Sequence, residues 1–451
     1  MSDMQITNTI RNPDAIPSQA ANQNESQTRT EVRGGPAGDQ PGQKPYFVID
    51  PGPLTIKTAI EGLEFDFNYG LRIKVPEGDW RVRFTDRDTF VNLFDARVSN
   101  TIVSSTKKYY INFHIEVYRE DKLVFEHDLD LRGKRVLIKL PVGTLGDVIA
   151  WFPYARLFRE KHGCEVYCAL APELAELFKP TYPDINFVGP SERPEGLYAS
   201  YYLGIFFPCD DRNHQPVDWR LVGLQKTIPH ILGLPPEEMR PEIAVENSER
   251  LIKEPYVCIA AQATTQAKYW TNPHGWIKTV EYLKGKGYRV LCIDREMVHG
   301  AGSHWNSIPY GAENFTGALP LRERVELLKH ADFFVGLGSG LSWLAWAVGR
   351  PIVMISGFSL PYMEFSTPYR VINYHVCNGC FTDSSVEFVH DDFAWCPRHK
   401  NTDKQFECTR FIAAEQVNAA IDRLMADHRL NPKGRAKEGA AKTHELKVAA
   451  R

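Results

Sequence analysis

Residues 132–152 read RGKRVLIKLPVGTLGDVIAWF, and the fold turns on how this stretch is parsed. Val136-Leu137-Ile138 is a short β-branched and apolar run that suits a buried strand. Pro141, Gly143 and Gly146 punctuate a tight turn, and Asp147-Val148-Ile149-Ala150-Trp151 begins an amphipathic helix. Open α/β sheets are built from such strand, elbow and helix units, and they bind ligands at the carboxyl ends of their strands. The first N–H groups of the helix have no partner within it. Asp147 stands at that mouth, where a carboxylate either caps the helix or faces a ligand. The elbow alone leaves both readings open.

Working outward, strands and helices alternate on the C-terminal side. After a helix over 149–160 come the strands 166–170 and 185–188, an apolar run over 200–207, and a helix near 221–232 that ends at Gly233 with Pro235 beyond it. Residues 238–253 are charged and suit a connector. A second alternation then starts at Val257-Cys258-Ile259-Ala260, and a later strand enters Gly336-Leu337-Gly338-Ser339-Gly340 before another helix. The sequence therefore predicts two Rossmann-like lobes, 132–240 and 241–425, with a nucleotide-bearing ligand in the cleft between them.

Upstream, residues 45–131 switch to short alternating runs such as WRVRF and YYINFHIEVYRE, the pattern of a small antiparallel β domain. Its aromatics Phe65, Phe67, Tyr69, Trp80, Tyr109 and Tyr110 form either its core or a face for a partner. Residues 1–44 are rich in Gln, Asn, Ser, Gly and Pro and are expected to be disordered. A mobile tail is expected over 426–451.

Composition narrows the class. The net charge of −3 gives no global footprint for nucleic acid or an anionic membrane. No apolar run approaches the roughly 20 residues that cross a bilayer. The polar N-terminus has no apolar secretory core, so a cytoplasmic protein is expected. Nine cysteines in such a setting point to metal or catalysis before disulfides. No GxxxxGK[ST] string occurs, and the third glycine of G-x-G-x-x-G is Leu341, so a P-loop NTPase and a plain nicotinamide dehydrogenase both fit poorly.

Three features of the second lobe suit a sugar diphosphate. Thr264, Thr265 and Lys268 follow a strand and offer two hydroxyls and an ammonium to phosphate oxygens. The Gly338-Ser339-Gly340 turn opens onto a helix whose amides an anion can approach. Asp294, at a strand end, offers a carboxylate to ribose hydroxyls. Each has a purely structural counterpart, as a solvated side chain, a tight turn or a cap.

Cys377-Asn378-Gly379-Cys380 is followed after 15 residues by Cys396 and after 11 more by Cys408. This spacing predicts a closed four-thiolate site for zinc or iron within a finger over 375–410, with His375 and His399 near enough to substitute. The acidic Asp383, Glu387, Asp391 and Asp392 argue against a phosphate-binding knuckle.

Together the LPVGTLGDVIAW elbow, the TTQAK segment, the GLGSGLSWLAWAVGRP loop and the cysteine segment resemble the bacterial autotransporter O-heptosyltransferases, relatives of the lipopolysaccharide heptosyltransferases of glycosyltransferase family 9. The resemblance covers about residues 46–425. It implies a GT-B enzyme of two Rossmann-like lobes, acceptor side first and donor side second, that moves heptose from ADP-glycero-manno-heptose to serine hydroxyls of adhesin passenger domains. It also implies Asp147 as general base, and donor contacts from Thr144, Leu145, Gly146, Gln225, Thr264, Thr265, Lys268, Asp294, Gly338, Ser339 and Gly340. A structural iron ion, with zinc as the alternative, and a large homo-oligomer, up to a dodecamer, complete the picture. One departure stands out. The lipopolysaccharide enzymes carry Asp-Thr-Gly-Leu-Ser-His where this chain has Gly338-Ser339-Gly340-Leu341-Ser342-Trp343, so the Asp and the His are missing. Two rival functions are a lipopolysaccharide-type heptosyltransferase and a non-catalytic scaffold that holds adhesin chains.

Overall fold

The computed structural model describes residues 49–140, 144–208, 211–245 and 249–434. The 1–44 tail, the C-terminal tail past residue 434, and Pro141 and Gly143 of the elbow lie outside these residues.

Each lobe grows from one buried parallel strand. In the first, Arg135–Lys139 pairs in parallel with Glu165–Ala169 on one side and Ala199–Tyr202 on the other, and Asn186–Val188 adds beyond Glu165–Ala169. In chain order these are strands three, two, one and four. The sheet therefore reverses direction beside the strand that feeds Asp147, which is where open α/β sheets bind ligands. The helix Pro153–His162 covers the sheet through the buried Tyr154, Ala155 and Phe158, and Gly163 ends it in the left-handed region (φ 59°) that glycine adopts without strain.

The strands of residues 45–131 are shared between two sheets. Glu64–Asn68 lies parallel to Ala199–Tyr202 and takes the fifth place in the first lobe's sheet, followed by antiparallel Arg72–Val75 and Thr101–Ser104. Only Trp80–Asp86, Asn92–Val98, Phe113–Arg119 and Lys122–Asp128 form a separate four-stranded antiparallel sheet. The reason lies in burial. Phe113–Arg119 alternates between buried and half-exposed positions, as a strand with one wet face does, whereas four of the five residues of Glu64–Asn68 are buried. Asp66 is tolerated there because Arg72 Nε donates to its Oδ1 at 2.8 Å and Asn68 Nδ2 to its Oδ2 at 2.9 Å. Phe65, Phe67 and Trp80 are core residues, and Phe65 and Phe67 pack around His127.

The second lobe is a six-stranded parallel sheet in the order Glu313–Asn314, Arg289–Cys292, Tyr256–Ile259, Phe334–Leu337, Ile352–Ile355, Arg370–Val371. This is the doubly wound order 3-2-1-4-5-6, with its switch point between the strands that lead to Lys268 and to Gly338. A hairpin of Val298–Ala301 and His304–Ser307 projects from this lobe and was not anticipated from the sequence.

Candidate active site

Four strand ends converge on one cleft with a cavity of about 90 Å³, whose wall includes Asp147, Lys268, Gly338, Ser339, Gly340 and Glu364. Asp147 and Lys268 each follow the first strand of their lobe, and the Gly338–Gly340 turn follows the fourth strand of the second. The two switch points thus face each other.

Asp147 is held by its own turn. The backbone N–H of Thr144 donates to Oδ2 at 3.0 Å and the Thr144 hydroxyl to the same oxygen at 2.9 Å. Both capping bonds fall on one oxygen, so capping and function are compatible. Burial pushes the carboxyl above the ordinary aspartate value, opposed by the two Thr144 bonds and by the positive charge of Lys268. Burial in turn lowers the Lys268 ammonium, opposed first by Asp147 and then by Glu364. Each feels the other's charge, so a base candidate on one lobe and a cation on the other share the cleft.

The lobes touch where two helix starts meet. A Cβ on Gly340 would lie 3.0 Å from Leu145 Cβ and 3.2 Å from the Gly146 nitrogen, and one on Gly146 would lie 2.9 Å from Trp343 Cδ1. Trp343 is 3% exposed and packs edge-on against Phe365 with ring centroids 5.0 Å apart. It is an interlobe packing residue. Ser342 Oγ donates to the Leu337 carbonyl at 2.5 Å and pins the helix Gly340–Ala347 to its strand.

Other expected donor contacts point elsewhere. The Asp294 carboxylate turns inward, accepting from the amides of Ala261 at 2.8 Å and Gln262 at 3.2 Å, and is 1% exposed. It ties two strand ends together and offers nothing to a ribose. Gln225 spends its side chain on the Ala150 carbonyl and on both backbone groups of Met239. Thr265 Oγ1 donates to the Phe393 carbonyl at 2.8 Å. Thr264 is exposed and off the cleft wall, whereas Thr144 and Gly146 line it. The sequence reading missed Glu364. It lies in irregular chain beyond the fifth strand, and only its place past a strand's carboxyl end marked it for attention.

The four-cysteine finger is likewise corrected. Among the described residues, the ligand atoms that gather within 4.8 Å of one another belong to Cys377, His399 and Glu407. Cys380 Sγ lies 4.0 Å from Cys377 Sγ, but Cys380, Cys396 and Cys408 are not members of that set. Local turns explain the difference. The His399 amide bonds back to the Cys396 carbonyl at 3.2 Å and brings the imidazole in. Glu407 starts a short helix and accepts from the Cys377 amide at 3.1 Å. Burial meanwhile pushes the Cys380 and Cys408 thiols up to about 12. Of the two histidines expected as substitutes, His399 joins the set and His375 does not.

Residues 60–121 match the family described as glycosyltransferase TibC, N-terminal domain, and residues 213–384 match glycosyltransferase family 9 (heptosyltransferase). The autotransporter heptosyltransferase BAHTCr of Citrobacter rodentium is 51% identical, over 84% of this chain and 93% of its own length. The autotransporter heptosyltransferase TibC of Escherichia coli O78:H11 is 49% identical over 84% of this chain and 94% of its own. A crystal structure of dodecameric, iron-containing TibC in complex with ADP-D-beta-D-heptose superposes with a TM-score of 0.82 at 48% identity, covering 84% of this chain and 100% of that one. With two such lobes and a carboxylate and a cation facing across their cleft, the chain belongs to the autotransporter heptosyltransferases, enzymes related to glycosyltransferase family 9.

Proposed function

We propose that this enzyme transfers heptose from ADP-glycero-manno-heptose to serine hydroxyls of an autotransporter adhesin passenger domain, with Asp147 as general base. The observation that carries the reading is the meeting of Asp147 and Lys268 across one cleft, each at the end of the first strand of its lobe. The likeness to a TibC structure holding ADP-D-beta-D-heptose supports the donor.

The chemistry follows from charge. A serine hydroxyl is a poor nucleophile at neutral pH, so Asp147 accepts its proton through Oδ1 while Thr144 holds Oδ2. The serine oxygen bonds to the anomeric carbon as the bond from that carbon to the diphosphate oxygen breaks. The departing ADP gains negative charge, which Lys268 and the amides at the start of Gly340–Ala347 stabilise. Of the expected donor contacts, Lys268, Gly338, Ser339 and Gly340 serve the diphosphate, while Gln225, Thr265 and Asp294 serve the fold.

Cys377, His399 and Glu407 offer sulfur, nitrogen and oxygen donors, a set that fits iron or zinc, and the iron in TibC favours iron here. Its role is to order the polar 377–408 segment. Metal analysis of the purified protein should find iron, and a chelator should lower the thermal midpoint; iron-free protein with an unchanged midpoint would remove this assignment. The dodecameric state of TibC supports a homo-oligomer, which light scattering would size. The reaction is placed in the cytoplasm, before passenger export, and cell fractionation tests that placement. No described helix is long and apolar enough to cross a membrane.

Intact mass of a co-expressed passenger domain is the deciding experiment for the reaction. A heptose-sized increment on serine is expected. Its absence, with transfer to a lipopolysaccharide sugar instead, would shift the acceptor to that class. Calorimetry showing no uptake of ADP-heptose would leave the scaffold.

A further inference from the structure

Glu364 and Asp147 are the two carboxylates on the cleft wall among the described residues, and the mechanism uses only one of them. Glu364 is held firmly. Ser359 Oγ donates to its Oε1 at 2.5 Å and Arg370 Nη1 to its Oε2 at 2.9 Å, and the Glu364 and Arg370 side chains are only 8% and 7% exposed. A second arm of Arg370, Nη2, donates to the Phe365 carbonyl at 3.0 Å. Nearly buried ion pairs are weak devices for stability, because desolvation offsets most of the attraction. A carboxylate paired with an arginine at a cleft wall in this way invites a functional account.

Its position relative to the glycine turn supplies one. A Cβ placed on Gly338 would lie 2.6 Å from Glu364 Oε1. Standard bond lengths put an aspartate's own oxygen about 2.4 Å from its Cβ. The Glu364 oxygen therefore lies about as far from that Cβ as a carboxylate borne by residue 338 itself would.

Resting on the donor assigned above, the geometry points to Glu364 as a specificity-determining residue that accepts hydrogen bonds from hydroxyls of the donor's sugar, reaching the cleft beside Gly338 from a neighbouring loop. Charge sets which part of the donor it meets. A carboxylate repels the diphosphate, which has Lys268 and the helix amides for partners, and suits the neutral polyhydroxyl half. Each carboxylate oxygen has about two acceptor positions, so Ser359 and Arg370 leave capacity for the ligand.

The test compares ADP-heptose with ADP by titration calorimetry on the full-length protein. Glu364→Gln should weaken ADP-heptose about tenfold or more while moving ADP by less than about threefold, the difference expected for lost hydrogen bonds between a charged group and sugar hydroxyls. Adding Gly338→Asp to Glu364→Ala should recover most of the ADP-heptose affinity that Glu364→Ala loses. A side chain that merely braced the turn would weaken both ligands alike, and that outcome, or an unchanged affinity ratio, overturns the proposal. Should Glu364→Gln fail to fold, Glu364→Asp keeps the charge facing Arg370, draws the oxygens back by one bond, and is read by the same ratio. If the parent protein takes up ADP but no ADP-heptose, the donor assignment itself falls, an outcome distinct from a parent that binds both ligands and a variant that keeps the parent's ratio.

Discussion

The two elbows that meet at the cleft are built alike and charged differently. Each runs from a parallel strand through an extended hydroxyl-bearing residue, Thr144 or Ser339, into a helix, and each contributes a glycine that lets the other backbone approach. The helix Leu145–Trp151 carries Asp147 in its first turn, whereas the first turn of Gly340–Ala347 has no acidic residue. The difference divides the labour. An acid on the first lobe's elbow can take a proton; an elbow without one leaves its amides open to an anion. Charge on the second lobe's side of the cleft arrives from separate loops, Lys268 after the first strand and Glu364 after the fifth, so it can be set independently of the turn's backbone.

Removing the charge that distinguishes the elbows should have the largest effect. Asp147→Asn should lower passenger modification by about 10²- to 10⁴-fold, the usual contribution of a positioned base, while ADP binding stays near that of the parent. Because burial raises the folded-state pKa of Asp147, transfer should fall as pH drops through a value above the ordinary aspartate range. A kcat/KM profile whose acidic limb sits at the ordinary value would sever the link between that limb and this residue. The same shift fixes the sign for stability. The native state holds the proton more tightly than the unfolded chain, so this group favours folding least once pH has risen through the folded pKa. At neutral pH Asp147→Asn should therefore unfold no earlier than the parent in a thermal scan. A clear loss of stability would show that the capping role dominates.

Lys268→Ala attacks the opposite wall. Charge-assisted bonds to phosphate oxygens are lost, and ADP affinity should fall about 10- to 100-fold, read by calorimetry. An equal affinity would move the diphosphate away from this side chain. The loss should shrink as salt is raised only if Lys268 acts through water-exposed charge. Its half-buried position argues for a reduced salt dependence.

Much of this cleft could be read in the chain because the groups that build it sit on regular elements. Val136 to Ile138 and Val257 to Ile259 announce buried strands by β-branched, apolar composition; the Gly338–Gly340 turn follows its strand directly, and Asp147 and Lys268 lie in the connections that leave theirs. What escaped the reading depends on long-range pairing. That Glu64–Asn68 would add to a sheet begun some seventy residues later has no local signature, since alternation reports burial and not the partner. Asp294 looked available because a strand end exposes the backbone of its loop, yet two amides of a neighbouring strand claim its carboxylate. Glu364 was invisible for the converse reason: its place beside Gly338 is a property of two loops brought together by folding.

The subtlest test concerns the shared glycine contact and separates packing from chemistry. Gly340→Ala adds a methyl group 3.0 Å from Leu145 Cβ and 3.2 Å from the Gly146 nitrogen, tighter than side chains ordinarily pack, and one of these atoms is backbone that cannot rotate away. Helix propensity favours alanine over glycine by up to about 1 kcal/mol, so the global midpoint should move little. The strain falls on the interlobe contact, and displacing Asp147 relative to the donor turn by a few tenths of an ångström should lower transfer by about tenfold, since misplacement of about 1 Å costs on the order of 10²-fold. ADP affinity, carried by Lys268 and the other amides of the turn, should fall less than turnover does. If affinity fell with turnover, the methyl group would be disturbing the donor turn itself, and the close meeting of the elbows would matter for building one wall rather than for aligning two.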